Sequence, residues 1–344
     1  MTAEDGNPGL QAEPGNATNG VRITVVVPVL NAMRFLPETV ASLLGAAGAT
    51  KGVELVFVDN GSTDNSDKYL ASRAEDGVVF ARLQRDPAMP ARNLSAAARN
   101  FGARRARGEF LSFIDADCLI AKNYFSEALA VLSATGADAT GCETEAPREP
   151  HWIEATWHAL HYVGRDRDVH YLNSANFFIS RRTFDDIGGF REDLPSGADA
   201  EIGQRLVSRG YRIYESPRVG AIHLGNPKTV REFYRRNVWH ALGMFGTVNR
   251  RRVDKPTAMM LLHLLATMAG LAVLAVGDFS WSVRLLTAAL LQLAVPVATV
   301  AYRAWQTGDA SHFLPGVALY WLYFWARLHA LAVVAVGKAH KFGK

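Results

Sequence analysis

From Thr257 to Gly277 the chain runs for 21 residues without a charged side chain. At about 1.5 Å of rise per residue, such a run is as long as a bilayer's hydrocarbon core is thick. Only a helix satisfies the backbone of a single lipid-exposed segment. Leu285–Tyr302 adds a second uncharged run of 18 residues, in which Pro296 is a tolerable kink. Phe313–Gly337 is apolar and aromatic but interrupted by Arg327, and Tyr320, Trp321, Tyr323 and Trp325 cluster there as interfacial aromatics do. Length and absence of charge set aside burial in a soluble domain for the first two runs.

The charges around these runs orient them. Arg250, Arg251 and Arg252 put the start of the first run on the cytoplasmic side, and the Asp278–Ser280 loop carries no lysine or arginine, as an outer loop should. Three full spans would leave Lys338, Lys341 and Lys344 outside, against the same rule. Two spans with an interfacial or re-entrant third keep them inside, and this is the expected topology. Arg327 at membrane depth is costly and asks for a partner, a lipid-linked phosphate being one. The expected location is the cytoplasmic membrane, multi-pass, with the preceding domain in the cytoplasm.

The net charge of +4 has a local source in Arg231, Arg235, Arg236, Arg250–Arg252 and Lys255, just ahead of the apolar region. That position favours an anionic membrane surface and argues against nucleic acid as the partner. Cys118 and Cys142 are the only cysteines, so a disulfide framework is not expected. Residues 1–20 read as a disordered tail without signal-peptide character. The chain divides into that tail, a domain at 21–226, a basic amphipathic juxtamembrane segment at 227–255, membrane helices at 256–338 and a basic tail at 339–344.

Within 21–226, short β-branched or apolar runs alternate with helical spacing. Strands are expected at Ile23–Val27, ended by Pro28, then at Val53–Val58, Val78–Leu83 and Phe110–Ile114. Helices are expected at Phe35–Ala46, from about Asp64 with Ser62 or Thr63 as cap, and at Ala96–Ala106. This alternation predicts an α/β fold with a mostly parallel sheet and covering helices. Asp59 and Asp115 each follow a strand and so fall on the carboxyl edge, where open α/β sheets bind ligands. Asp115 and Asp117 lie one residue apart, and a turn brings both towards a hard cation.

PVLN (Pro28–Asn31), VDNGSTD (Val58–Asp64), RNFGARRARGEFLSFIDAD (Arg99–Asp117), IGGFREDLPSGADAEIGQRL (Ile187–Leu206) and VGAIHLG (Val219–Gly225) occur in one order. Together they resemble the family-two inverting glycosyltransferases, over about three-fifths of the chain. The resemblance implies the GT-A (nucleotide-diphospho-sugar transferase-like) fold and a nucleotide-diphosphate sugar donor. It places Pro28, Asn31 and Asp59 at the base and ribose, with Asn60 and Ser62 in the same donor-binding set. Arg99 would lie by the base or diphosphate and Asp115 by the ribose. Asp117 and His223 would hold a divalent metal, Mn2+ or Mg2+, and Asp199 would be the acceptor's general base, with Glu201 as the other candidate. Chemistry agrees: a cation stabilises a departing diphosphate, and an acceptor hydroxyl needs a base.

The sequence departs from the pattern where Asn60 replaces a second aspartate and Ala198 precedes Asp199. No Gln-x-x-Arg-Trp motif follows, against a processive polysaccharide synthase. Asn173 and Asn176 either contact the sugar or form a turn. Trp152, Trp157, His158 and His161 share a helix face, for core packing or for the acceptor, and packing is preferred. The expected function is transfer of a sugar to a lipid-linked or cell-surface glycan acceptor at the cytoplasmic face. The alternatives are a polyprenyl-phosphate glycosyltransferase and a non-catalytic nucleotide-sugar-binding subunit. A nicotinamide dehydrogenase is set aside, since no G-x-G-x-x-G follows the first strand.

Overall fold

A computed structural model describes residues 20–83, 94–194, 196–247 and 255–336. The expected amino-terminal tail up to residue 19, the arginine run at 250–252 and the lysines at 338, 341 and 344 lie outside the described residues.

The sheet grows outward from β1 (Ile23–Val29), which pairs in parallel with β2 (Val53–Asp59) on one side and β4 (Phe110–Ile114) on the other. β3 (Val78–Arg82) continues the parallel ladder beyond β2. Past β4 come β8 (Asn176–Ser180), β6 (Ala139–Gly141), β9 (Ile213–Glu215) and β7 (Arg167–Val169), in that spatial order. β8 runs against both β4 and β6, and β7 against β9, so the sheet is mostly parallel. A two-stranded antiparallel ribbon joins β5 (Cys118–Ile120) to β10 (Ala221–His223).

Pro28 lies inside β1 instead of ending it, opposite Val58. Pairing of β1 with β4 stops at Val26, so Pro28 needs no N–H on that side and the strand continues to Val29. Neither Ser62 nor Thr63 caps the next helix, α2 (Ser66–Ala71). Its N-cap is Asn65, in left-handed backbone at φ 70, a conformation asparagine tolerates better than most residues.

Alternation along β1 sends side chains to two cores. Val25 and Val27 belong to the core shared with α1 (Leu36–Ala49) and α4 (Tyr124–Thr135), while Val26 belongs to the core shared with α3 (Leu94–Arg105), α6 (Arg181–Asp186) and α7 (Ala198–Ser208). α3 approaches closely because it carries Gly102, where a Cβ would come within 2.4 Å of Val26 Cγ1.

Among the described residues, three helices are long and apolar enough to cross a membrane: α9 (Lys255–Val276), α10 (Trp281–Thr307) and α11 (Phe313–Ala335). α11 has the lowest mean hydropathy, 1.4 against 2.2 and 1.8, because one side of it faces protein. There it packs on α5 (Trp152–His161) and on α8 (Val230–Thr247), the helix formed by the juxtamembrane segment. Arg327 is 2% exposed and donates to the Tyr323 hydroxyl at 3.0 Å, so a partner comes from its own helix.

Trp157 packs against Phe233, Tyr320 and Tyr323, as expected for its helix face. A polar chain ties the two halves together. Arg303 Nε donates to Tyr320 Oη at 3.2 Å, and Tyr320 Oη lies 3.0 Å from His161 Nε2. His161 Nδ1 lies 2.7 Å from the Trp157 carbonyl, which only accepts, so Nδ1 carries the proton and Nε2 accepts from tyrosine.

Gly102→Val places branched carbon where Val26 already sits. It should lower stability by about 1–3 kcal/mol. Thermal denaturation of the detergent-solubilised protein should show the midpoint falling by roughly 2–10 °C.

Candidate active site

A cleft of about 260 Å³ opens at the carboxyl edge of the parallel strands, lined by Pro28, Asn31, Asn60, Ser95, Asp115 and Asp117 among others. Its first wall is two loops clamped together. Asn31, at φ 51, accepts from the Thr63 N–H at 2.8 Å, and its own N–H donates to Ser62 Oγ at 3.0 Å. Asp59 is 1% exposed and does not line the cleft. Its two oxygens accept from the backbone of Gly61 and Ser62, each at 3.1 Å, so it holds the loop's shape. The cleft wall at this point is Asn60, 2% exposed, whose Oδ1 finds no donor among the described residues. An amide oxygen buried against a cavity without a donor is suited to a ligand N–H or O–H.

Arg99, 5% exposed, projects from α3 and is ion-paired with Asp115, donates to Ser95 and lies over the Phe190 ring. The pair sets Asp115 at the end of β4 with one side held.

Two residues on, the ribbon builds a second group. β5 begins directly after Asp117, and antiparallel pairing puts His223 opposite Cys118. The Leu224 N–H donates to the Asp117 carbonyl at 2.8 Å, and a Cβ on Gly225 would lie 1.9 Å from Asp117 Oδ2, so any side chain there would displace the carboxylate. His223 Nε2 stands 3.4 Å from Asp117 Oδ1. The ring's other nitrogen is 2.9 Å from Asn226 Oδ1, and Asn226 Nδ2 donates to the His223 carbonyl at 3.1 Å. That second bond orients the amide, so Nδ1 donates to it and Nε2 is the nitrogen that faces Asp117. Asp117, Cys118 and His223 have ligand atoms within 4.8 Å of one another. Burial, then the Asp115 and Asp117 charges, push the Cys118 thiol well up. The Asp117 carboxylate and the His223 imidazole form an oxygen–nitrogen donor pair that fits a divalent cation such as Mn2+. Burial raises the Asp117 carboxyl, against the lowering by His223, and Asp115 raises it further.

Asp199 and Glu201 share the first turn of α7, and packing separates them. Glu201 is engaged on both oxygens by Arg205, each at 2.7 Å. Asp199 instead accepts from the Ser174 hydroxyl and backbone and lies within electrostatic reach of Arg99 and Asp115, without lining the cleft. Burial is the main cause that holds its carboxyl above the ordinary range. Asn176 is wholly buried, accepting from Tyr124 Oη and donating to the carbonyls of Cys142 and Val219, so it ties strands together. Asn173 makes a turn, accepting from the Ala175 N–H at 3.0 Å.

Asn226 and Ser174 were not legible as site residues. Neither belongs to a motif, and each acts only by fixing another side chain. The spacing of Asn226 three residues after His223 is the one available signal.

Comparison with known proteins gives the same reading. Residues 24–188 match the profile described as glycosyl transferase family 2, and residues 110–335, more than half the chain, that described as glycosyl transferase family group 2. Glycosyltransferase AglE of Haloferax volcanii is 25% identical over 211 residues, covering 60% of this chain and 67% of that protein. The pre-mycofactocin glycosyltransferase of Mycobacterium tuberculosis is 27% identical over 212 residues, covering 57% of this chain but only 41% of its own length. Among solved structures, the mannosyltransferase PcManGT of Pyrobaculum calidifontis, in complex with GDP-Man and Mn2+, superposes with a TM-score of 0.53. It is 21% identical, with 93% of this chain and 88% of that one covered. The fold is therefore of the GT-A kind, and the chain belongs to glycosyl transferase family group 2.

Proposed function

We propose that the protein is a membrane-anchored, metal-dependent, inverting glycosyltransferase. It takes a sugar from a nucleotide-diphosphate donor and passes it to a glycan or lipid-linked acceptor at the cytoplasmic face. The observation that carries this is the cleft walled by a donor-seeking Asn60 oxygen, by Asp115 held by Arg99 and by Asp117 paired with His223, with Asp199 within electrostatic reach. A mannosyltransferase of the same fold binds GDP-Man and Mn2+, which supports a nucleotide-sugar donor and manganese ahead of magnesium.

In this reading Asn60 Oδ1 accepts from the nucleobase or ribose, while Asp59, Asn31 and Ser62 keep that wall in place. Pro28 shapes the floor. Arg99 lies beside the diphosphate and Asp115 meets the ribose. A cation held by Asp117 and His223 would neutralise charge building on the leaving diphosphate. Asp199 takes the proton from the acceptor hydroxyl as its oxygen attacks, and Ser174 fixes the direction of that carboxylate. With Glu201 tied to Arg205, one base serves one displacement, and the anomeric centre inverts.

The test is nucleotide diphosphate release by the full, detergent-solubilised chain across UDP- and GDP-sugars. At least one donor should be cleaved with Mn2+, and chelator should abolish the release. Cleavage unaffected by chelator would remove the metal, and no cleavage of any donor would remove the transferase reading.

Asn226→Ala frees the His223 ring to turn, so Mn2+ affinity, read by the paramagnetic resonance of free Mn2+, should fall about 10–100-fold. Asp199→Asn should lower kcat by roughly 10²–10⁴-fold. Because burial raises this carboxyl and the base must be ionised, activity should fall with decreasing pH at a midpoint above about 4, the ordinary carboxylate value. A mutant with a tenth of normal kcat, or an acid limb at or below that value, would count against Asp199 as base.

A further inference from the structure

A second cavity, of about 190 Å³, lies between α5 and α8 and shares no lining residue with the donor cleft. Glu143, Glu154, Trp157, Asn173, Asn226 and Arg236 are among its walls. Resting on the transferase reading above, we propose that this chamber is the acceptor site and that it takes an uncharged saccharide ring through its hydroxyls, not a phosphate headgroup.

Its position fits. Asn226 is the residue bonded to His223 Nδ1. Asn173 directly precedes Ser174, which holds Asp199. Arg236 donates to the carbonyl of Gly225, the residue pressed against Asp117. The chamber's walls therefore include the residue that orients His223 and the residue next to the one that holds Asp199, from outside the donor cleft.

Its chemistry selects the ligand. The Glu154 side chain is 0% exposed, and its Oε2 accepts from the His151 N–H at 2.9 Å and from Lys228 Nζ at 3.4 Å. Its Oε1 is buried and finds no donor among the described residues. A buried carboxylate oxygen lacking a donor is unfavourable, and a ligand O–H satisfies it. An ionised phosphate brings only acceptors and further negative charge. Burial, then the neighbouring Glu215, raise Glu143 to about 7, so near neutral pH it passes between donor and acceptor and matches a hydroxyl in either orientation. Glu154, paired with Lys228, and Glu143, near Arg303 and Arg167, share the walls with Arg236, whereas a phosphate site gathers arginines without competing carboxylates. Trp157 supplies the apolar contact that the C–H face of a sugar seeks.

The experiment uses the full detergent-solubilised chain with Mn2+ and whichever donor it cleaves. Candidate acceptors are the octyl β-glycosides of glucose, galactose, mannose and N-acetylglucosamine, set against farnesyl phosphate. At least one glycoside should accept sugar and accelerate nucleotide release by the unmodified protein, and farnesyl phosphate should not. Glu154→Gln, which keeps the side chain's shape, should raise that glycoside's KM at least tenfold while the donor KM moves less than twofold. Trp157→Phe should raise the glycoside KM in the same selective way. Transfer to farnesyl phosphate overturns the proposal. So does transfer to none of the glycosides while water still cleaves the donor, or a rise in both KM values together. Failure to cleave any donor is a separate result, and it removes the transferase reading along with this one.

Discussion

The site depends on a ladder three residues long. β5 and β10 are far apart in sequence, yet their antiparallel register sets His223 against Cys118 and thereby beside Asp117. The Leu224 amide and the absence of a side chain at Gly225 complete the approach. The large sheet positions the aspartates at an edge. The small ribbon brings the imidazole to them, and Asn226 then decides which ring nitrogen faces inward.

The same division of labour runs through the cleft. Groups that look chemical in a linear reading are often spent on shape: Asp59 on the loop that follows it, Asn176 on three partners that cross-link strands, Glu201 on Arg205. Among the described residues, Asn60 and Glu154 each line a cavity with a buried oxygen that lacks a donor. Polar capacity kept dry is costly, so it is informative where it persists.

Much of this was legible in the residues. Phe110–Ile114 is a strand with the expected bounds because an apolar run shielded on both faces leaves little choice. The first two apolar helices followed from length and the absence of charge, whereas the third, expected as an interfacial or re-entrant segment, is also a helix long and apolar enough to cross. Pro28 was misread as a terminator because its tolerance depends on where β4 stops pairing, which is a property of the neighbour. The cap of α2 was misplaced because local bonding by Asp64 to Ser66 outcompetes Ser62 and Thr63. Asp199 and Glu201, two residues apart in one helical turn, became distinguishable only when Arg205 claimed one of them. Glu154 gave no sign, since an unfilled oxygen exists only once the surrounding chain has closed.

The bonded chain from Arg303 through Tyr320 to His161 has a mechanical meaning. With α5 pinned to α10 and α11, and α8 laid along α11, the catalytic domain has little freedom to pivot on a tether. The height of its clefts above the apolar helices is then a fixed dimension of the fold, and the molecule acts as a gauge. On the proposed reading, an acceptor anchored in the membrane would meet the clefts at that one elevation, and the spacer between its anchor and its reacting end would have to match it.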